Sequence, residues 1–175
     1  MNHPFKGGYI TRFHGNPSKG INSIQLEMSK DLYMSENETI YDQNKANKIQ
    51  KVLKSTFQEL IDQLYDFRDG KVQFKPTKAS DKQFRNDEDS ALSYFIGADK
   101  NFPEDSGFAM SQWKNIEFKN DSINIYEDLA IVMGNYFFTD GSGAETKVEY
   151  TFGYIKRDKS LKIILHHSSL PYNSF

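Results

Sequence analysis

Two adjacent histidines near the end of the chain are the side chains best suited to acid–base chemistry. His166 and His167 lie in the apolar segment LKIILHHSSL, residues 161–170. Neighbouring residues of a β-strand point to opposite faces, so one histidine can face a pocket while the other faces a sheet partner. A pocket imidazole can transfer a proton or bind a ligand, because burial and neighbours adjust its pKa. A structural histidine at a sheet face is the alternative, and the sequence leaves both interpretations open.

Strict alternation assigns the residues around this pair to two faces. His167 should share its face with Leu161, Ile163 and Leu165. His166 should share the other face with Lys162 and Ile164. Which histidine faces a pocket does not follow from this pattern.

The chain lacks the residue patterns of common metal and thiol centres. It has no cysteine, which excludes a disulfide framework, a thiolate metal site and a cysteine nucleophile. The other two histidines are His3 and His14, and no histidine stands in HxxE or HExxH spacing. Two adjacent strand histidines are poorly placed to ligate one ion. We therefore expect no metal site and no other cofactor.

An aromatic set occupies the strands that precede the histidines. Its members are Trp113, Tyr136, Phe138, Tyr150, Phe152 and Tyr154. They either wall a pocket for a hydrophobic or aromatic small ligand or form an ordinary core. As the pocket residues we assign His166, His167, Tyr150, Phe152, Tyr154 and Trp113.

An amphipathic helix and a run of strands must position these side chains. Apolar residues at three- and four-residue steps predict a helix over 44–65. A short helix is predicted at 78–84, and the apolar segment 90–97 is either helix or strand. From Trp113 onward, alternation and turn residues predict four or five antiparallel strands, which gives an α+β pattern. Shorter strands are predicted at 8–13 and 21–29.

Composition narrows the class of partner. The 175 residues carry a formal net charge of -2, which gives no electrostatic case for nucleic acid or an anionic membrane. No apolar run of about 18 residues predicts a membrane-spanning helix, and the start of the chain does not resemble a secretory signal. The absence of cysteine suits a cytoplasmic location.

Residues 3–64 resemble the C-terminal part of the N-formylglutamate amidohydrolases. The similar stretches are FKGGYITRFHG, IQLEMSKDLYM and the helical VLKSTFQELI. The resemblance implies that zinc-bound water hydrolyses a formamide on glutamate, late in histidine degradation. It also implies a general base at Glu27 and a clamp for the substrate carboxylate at Arg12, because a guanidinium matches a carboxylate in geometry.

The zinc ligands of that family lie upstream of the KGGYIT segment, and this chain begins within the later part. A catalytic zinc needs about three protein ligands, and without the ion the activated water is lost. We therefore expect no zinc-dependent hydrolysis unless the missing part is supplied. Glu27 and Arg12 are then expected to be surface residues.

Residues 64–175 resemble bacterial SnoaL-like domains of the nuclear-transport-factor type, which are similar to the association domain of calcium/calmodulin-dependent kinase. The similar stretches are LYDFRDGKVQFKPTKA, FPEDSGFAM, GNYFFTD, KVEYTFGYIK and LHHSSLPY. The resemblance implies a cone-shaped α+β domain in which helices wrap a curved antiparallel sheet. It also implies a pocket inside the cone and homodimers through the sheet face.

The sequence thus predicts a truncated hydrolase-like segment at 1–43 and an α+β cone domain at 44–175, whose first helix (44–64) derives from the hydrolase. A natural fusion, a remnant and an assembly artefact remain open as origins. The favoured function is dimerisation and small-ligand binding without catalysis. The alternatives are a fragment of the zinc-dependent hydrolase and a cone-domain enzyme that uses His166 or His167 for proton transfer.

Overall fold

The computed structural model describes residues 15–16, 18, 26–68, 70, 72–111 and 113–173. The chain divides into two compact units, Met1–Val52 and Leu53–Phe175. Arg12 and the strand predicted at 8–13 lie outside the described residues. The described residues 26–29, at the end of the strand predicted for 21–29, have no regular secondary structure, and Glu27 is exposed there.

The long helix predicted by the apolar spacing is helix α1, Gln43–Leu64. Asp42 caps its first turn, because its carboxylate accepts hydrogen bonds from the backbone N–H groups of Asn44 and Lys45 at 2.9 and 3.0 Å. Among the described residues, no helix is both long enough and apolar enough to span a membrane.

The apolar segment that the sequence left as helix or strand is helix α2, Glu88–Ile96. Asp87 and Ser90 form a capping box, in which the Asp87 carboxylate accepts from the Ser90 backbone at 2.9 Å. The helix ends at Gly97, whose φ of +70° suits glycine. Glycine adopts this positive φ without a clash from a Cβ atom, which explains why the helix ends there.

The short helix predicted at 78–84 is wrong. The segment is a loop whose backbone N–H groups at Ser80, Asp81 and Lys82 donate to the Glu104 carboxylate at 2.7, 3.0 and 2.9 Å. Those hydrogen bonds, led by the one from Asp81, lower the pKa of Glu104. A side chain distant in sequence thus satisfies the backbone N–H groups of this loop.

The strands form one five-stranded sheet, in the order β1-β5-β4-β3-β2. Its strands are β1 (Gln73–Lys75), β2 (Asn115–Tyr126), β3 (Leu129–Thr139), β4 (Glu145–Arg157) and β5 (Ser160–Ser169). Strands β2 to β5 form the antiparallel meander that the turns predicted. Strand β1 pairs with β5 in parallel, so the sheet is mixed. The α+β class is confirmed, and the fully antiparallel sheet is corrected at this one edge.

The core of the second unit has two contiguous parts. One joins α2 and β1 to the end of α1, through Ile61, Tyr65, Val72, Phe74, Ala91, Leu92 and Tyr94. The other is an aromatic layer on one face of the sheet, made by Tyr136, Phe138, Val148, Tyr150 and Phe152. We call the face that carries this layer the inner face and the opposite one the outer face. Ile163 contacts both parts, so β5 links the helices to the sheet.

Candidate active site

A cavity of about 460 Å³ lies against the inner face of the sheet within the second unit. Most of its wall is apolar or aromatic, with side chains from the end of α1, from α2 and from the sheet: Phe57, Leu60, Ile61, Phe95, Ile96, Phe108, Ile116, Phe118, Phe138 and Phe152. A few polar side chains also reach it, which is the usual composition of a small-molecule site.

His166 is the central polar side chain of this cavity. Its Nδ1 lies 2.7 Å from the Tyr65 hydroxyl, and its Nε2 lies 3.0 Å from the Tyr136 hydroxyl. The ring stacks on Phe152 and Phe74, with centroid distances of 4.3 and 4.6 Å. A neutral imidazole has one N–H donor and one acceptor nitrogen, so one tyrosine donates to the ring and the other accepts from it.

Burial keeps this group uncharged at neutral pH. It lowers the pKa of His166 to about 3, and the charge of the neighbouring His167 adds to the effect. Burial also raises the pKa of Tyr65 and of Tyr136, so both keep their protons. The Tyr65–His166–Tyr136 triad is therefore a neutral chain of hydrogen-bonding groups.

Tyr65 reaches His166 from the end of α1, although 101 positions separate them in the chain. The backbone next to it is fixed to β5, because the Asp66 N–H donates to the Ile163 carbonyl at 3.0 Å. The Asp66 carboxylate accepts from Arg68 and Arg157 at 2.9 and 2.7 Å. Burial alone would raise the pKa of Asp66, but these two hydrogen bonds lower it overall, so Asp66 stays ionised.

Two hydroxyls add a second polar pair to the cavity wall. The Thr77 hydroxyl, in the loop after β1, donates to the Ser168 hydroxyl at 2.9 Å. Ser168 follows His166 by two residues and therefore shares its face of β5. These hydroxyls can hydrogen-bond a small polar molecule beside the triad.

A bulge in β5 corrects the grouping that strict alternation predicted. Gly153 pairs with Leu165, whereas the next residue of β4, Tyr154, pairs with Ile163, so Ile164 is an extra residue. The bulge reverses the alternation, and Ile163 faces the cavity together with His166. His167 is exposed on the outer face, opposite Thr151.

The structure places the predicted pocket residues in different positions. Phe152 and His166 line the cavity. Tyr150 is buried in the aromatic layer beside it, and Tyr154 stacks on Phe152 at 5.5 Å. Trp113 packs on Phe138 at 5.0 Å, and its Nε1–H donates to the Phe108 carbonyl at 3.0 Å. These three residues support the wall without lining the cavity.

Four polar cavity residues escaped the sequence-based search: Tyr65, Thr77, Tyr94 and Ser168. Tyr136 was recognised as aromatic but was not assigned to the pocket. Of these, only Ser168 carried a signal in the sequence, namely its two-residue spacing from His166. Tyr65 and Thr77 are brought to the site by tertiary structure alone.

Within the part of the chain that the structure describes, no group of three or more His, Cys, Asp or Glu side chains is arranged to hold a metal ion. The site as described offers neutral hydroxyl and imidazole groups beside an apolar wall.

Comparison with known proteins identifies two families along the chain. The family model of metal-independent carbonic anhydrase matches residues 32–170. The model of N-formylglutamate amidohydrolase matches residues 1–34. The two matches meet at residues 32–34, whereas the resemblances seen in the sequence were placed as meeting near residue 64. Helix α1 therefore falls within the carbonic anhydrase match.

Individual relatives come from the same two families. A metal-independent carbonic anhydrase from Nostoc sp. (strain PCC 7120) is 47% identical over 121 residues, which cover 68% of this chain and 59% of the relative. A crystal structure of the iota-carbonic anhydrase from a cyanobacterium, complexed with bicarbonate, has 46% identity and a TM-score of 0.65, and covers 69% of this chain and 75% of that one. An N-formylglutamate deformylase from Pseudomonas putida is 44% identical over 62 residues, 35% of this chain and 23% of that protein.

These matches correct the function predicted from the sequence. The similarity to the amidohydrolases is partial, and the family that covers the sheet and the cavity is one of carbonic anhydrases. The favoured binding domain without catalysis and the alternative zinc-dependent hydrolase are therefore both wrong. The description of the family as metal-independent agrees with the expectation of no metal cofactor. This chain spans about three fifths of the curated Nostoc relative, and it belongs to the metal-independent carbonic anhydrase family.

Proposed function

We propose that this protein interconverts carbon dioxide and bicarbonate, without a metal ion, in the cavity around His166. The observation that carries the proposal is the neutral Tyr65–His166–Tyr136 triad in the wall of an apolar cavity. Membership of the family and the bicarbonate complex of a relative support the choice of substrate.

Hydration needs a water molecule that loses a proton as its oxygen bonds to carbon. One C–O π pair then moves to a carbon dioxide oxygen, and the products are bicarbonate and one proton. The Tyr136 hydroxyl can take the proton from water while it passes its own proton to His166 Nε2. This transfer starts from the His166 tautomer in which Nε2 is unprotonated and the Nδ1–H donates to the Tyr65 hydroxyl.

The low pKa of His166 has two consequences for this step. The ring is neutral at physiological pH, so one nitrogen has a lone pair that can accept a proton, but burial makes it a weaker base than a solvated histidine. The imidazolium that forms is short-lived, because burial favours release of its proton to solvent. The Ser168 hydroxyl, which accepts from Thr77, can donate to the oxygen on which negative charge develops.

Isotope exchange can test the proposal, since loss of ¹⁸O from labelled carbon dioxide reports the reaction directly. We expect catalysis by chelator-treated protein, and a loss of about tenfold or more in kcat/KM for Ser168→Ala because one hydrogen bond to a charged oxygen is removed. Ser169→Ala is the matched control, since Ser169 is the next residue along β5 and is not among the residues that line the cavity. Exchange no faster than in buffer, or exchange abolished by the chelator, would contradict the proposal.

We also propose that the protein forms homodimers. The outer face of β2 and β3 exposes Tyr126, Leu129, Ile131 and Met133, which supports an apolar contact between two copies. Light scattering at micromolar concentration should give twice the mass of the 20.3 kDa chain. A strict monomer would count against it. A cytoplasmic location likewise stays a prediction.

A further inference from the structure

The cavity around His166 is much larger than the substrate proposed for it. Its volume is about 460 Å³. Bicarbonate has four non-hydrogen atoms and fills roughly 120 Å³ if each takes the ~30 Å³ of a water molecule in the liquid. Most of the volume therefore remains for a longer molecule.

Polar and apolar groups are unevenly distributed around this space. Apart from the triad, the polar side chains are Thr77, Ser168 and Tyr94, and the remaining lining is apolar or aromatic. Among the described lining residues there is no lysine or arginine. Leu60 and Ile116 line the cavity and are also about half exposed, at 50% and 43%, so an apolar rim meets the solvent.

We infer that the cavity also binds small monocarboxylic acids that carry an aromatic or aliphatic body. A carboxylate R–CO₂⁻ presents the same two oxygens as bicarbonate, HO–CO₂⁻, with R in place of the hydroxyl. The carboxylate takes a hydrogen bond from Ser168, whose hydroxyl in turn accepts from Thr77, and R lies along the apolar wall. This placement of the carboxylate rests on the proposed function.

The chemistry of the wall determines which acids bind. Because no cationic side chain lines the cavity in the described residues, neutral groups alone hold the carboxylate, and affinity must come from burial of the apolar body. Acetate therefore binds weakly, while hexanoate and 3-phenylpropionate bind more tightly. Acids bound in this way exclude bicarbonate and inhibit its dehydration competitively.

Calorimetric titration with acetate, butyrate, hexanoate, benzoate and 3-phenylpropionate tests the inference. We expect affinity to rise by about fourfold for each methylene buried, until the cavity is full. The same acids should raise KM for bicarbonate in the same order and leave kcat unchanged. Equal affinity across the series would overturn the inference.

Variants separate the two ends of the site. Ser168→Ala should weaken every acid by a similar factor and leave the increment per methylene unchanged. Ile116→Asn should reduce that increment, because it makes the apolar wall polar, and Leu60→Asn repeats the test on α1 in case the strand variant fails to fold. Ile125→Asn is the control, since Ile125 is 73% exposed on the same strand and does not line the cavity.

The outcomes distinguish this inference from the proposed function. Carbon dioxide hydration together with a flat acid series overturns the inference and leaves the proposed function standing. Graded acid binding without hydration supports the carboxylate site and contradicts the proposed function. Graded binding that Ser168→Ala does not weaken overturns the placement of the carboxylate beside Ser168.

Discussion

The two faces of β5 carry neighbouring histidines in different surroundings. On the inner face, His166 lies between the hydroxyls of Tyr65 and Tyr136 and stacks on Phe152. On the outer face, His167 is exposed and its strand partner is Thr151. The same residue type is therefore a neutral, hydrogen-bonded group at one position and a solvated side chain at the next. The face of the strand, and what the rest of the fold brings to it, decides which histidine is available for chemistry.

The largest expected effect of this difference is on catalysis. We expect His166→Gln to lower kcat/KM for carbon dioxide hydration by about a hundredfold or more, since general acid–base groups typically contribute 10²–10⁴. His167→Gln should stay within about twofold of the wild type, because that side chain does not line the cavity. Stopped-flow measurement with a pH indicator gives both values.

A folded state must be shown for both histidine variants, and near-ultraviolet circular dichroism reports the aromatic layer around His166. Equal losses in two folded variants would remove the distinction between the faces. A larger loss at His167 would move the acid–base site to the outer face.

Part of this comparison could be predicted from the sequence. Alternation and turn residues located β2 to β5, and opposite faces for the two histidines followed from strand geometry. The choice between the histidines could not be made, because the bulge at Ile164 reverses the alternation and no residue type marks a bulge there. The partner Tyr65 stands 101 positions away, beyond the reach of any periodic pattern.

Two parts of the fold were predicted incorrectly, and the reasons are related. Strand β1 has three residues and is followed by Pro76, so it is too short to show a period. The segment 78–84 is a loop whose backbone N–H groups donate to the distant Glu104 carboxylate, a contact that local sequence does not reveal. In both cases tertiary contacts outweigh local preference.

The next largest effect is expected at the tyrosines of the triad. Tyr136→Phe should lower kcat/KM about tenfold, because it removes the hydroxyl that contacts His166 Nε2 while it keeps the ring. Tyr154→Phe is the matched control, since Tyr154 stacks on Phe152 in the same sheet but does not line the cavity. Measurements of kcat/KM across pH should show a uniform loss for Tyr136→Phe.

A similar loss in Tyr154→Phe would indicate that the aromatic layer, and not the hydroxyl at His166, sets the rate. An unchanged rate in Tyr136→Phe would exclude the Tyr136 relay and leave Tyr65 as the relevant partner of the ring.

The smallest expected effect is on the pH dependence of stability. The ordinary pKa of histidine is 6.5, and burial lowers that of His166 to about 3 in the folded chain. Between these values the unfolded chain binds a proton that the folded chain does not, so stability is fully present above pH 6.5 and falls as the pH drops towards 3. Between pH 6 and 5 the wild type should lose up to roughly 1 kcal/mol on this account. Urea denaturation at each pH gives the free energy of unfolding, and His166→Gln should show a smaller decline than the wild type.

His167→Gln should keep most of the decline, because burial, the larger cause of the lowered pKa, is unchanged in that variant. The buried Asp66 carboxylate also loses stability as the pH falls, but it is common to all three proteins and cancels from the differences. Parallel curves for the wild type and His166→Gln would mean that His166 titrates alike in the folded and unfolded chains, and the contrast between the two faces would then rest on hydrogen bonding alone.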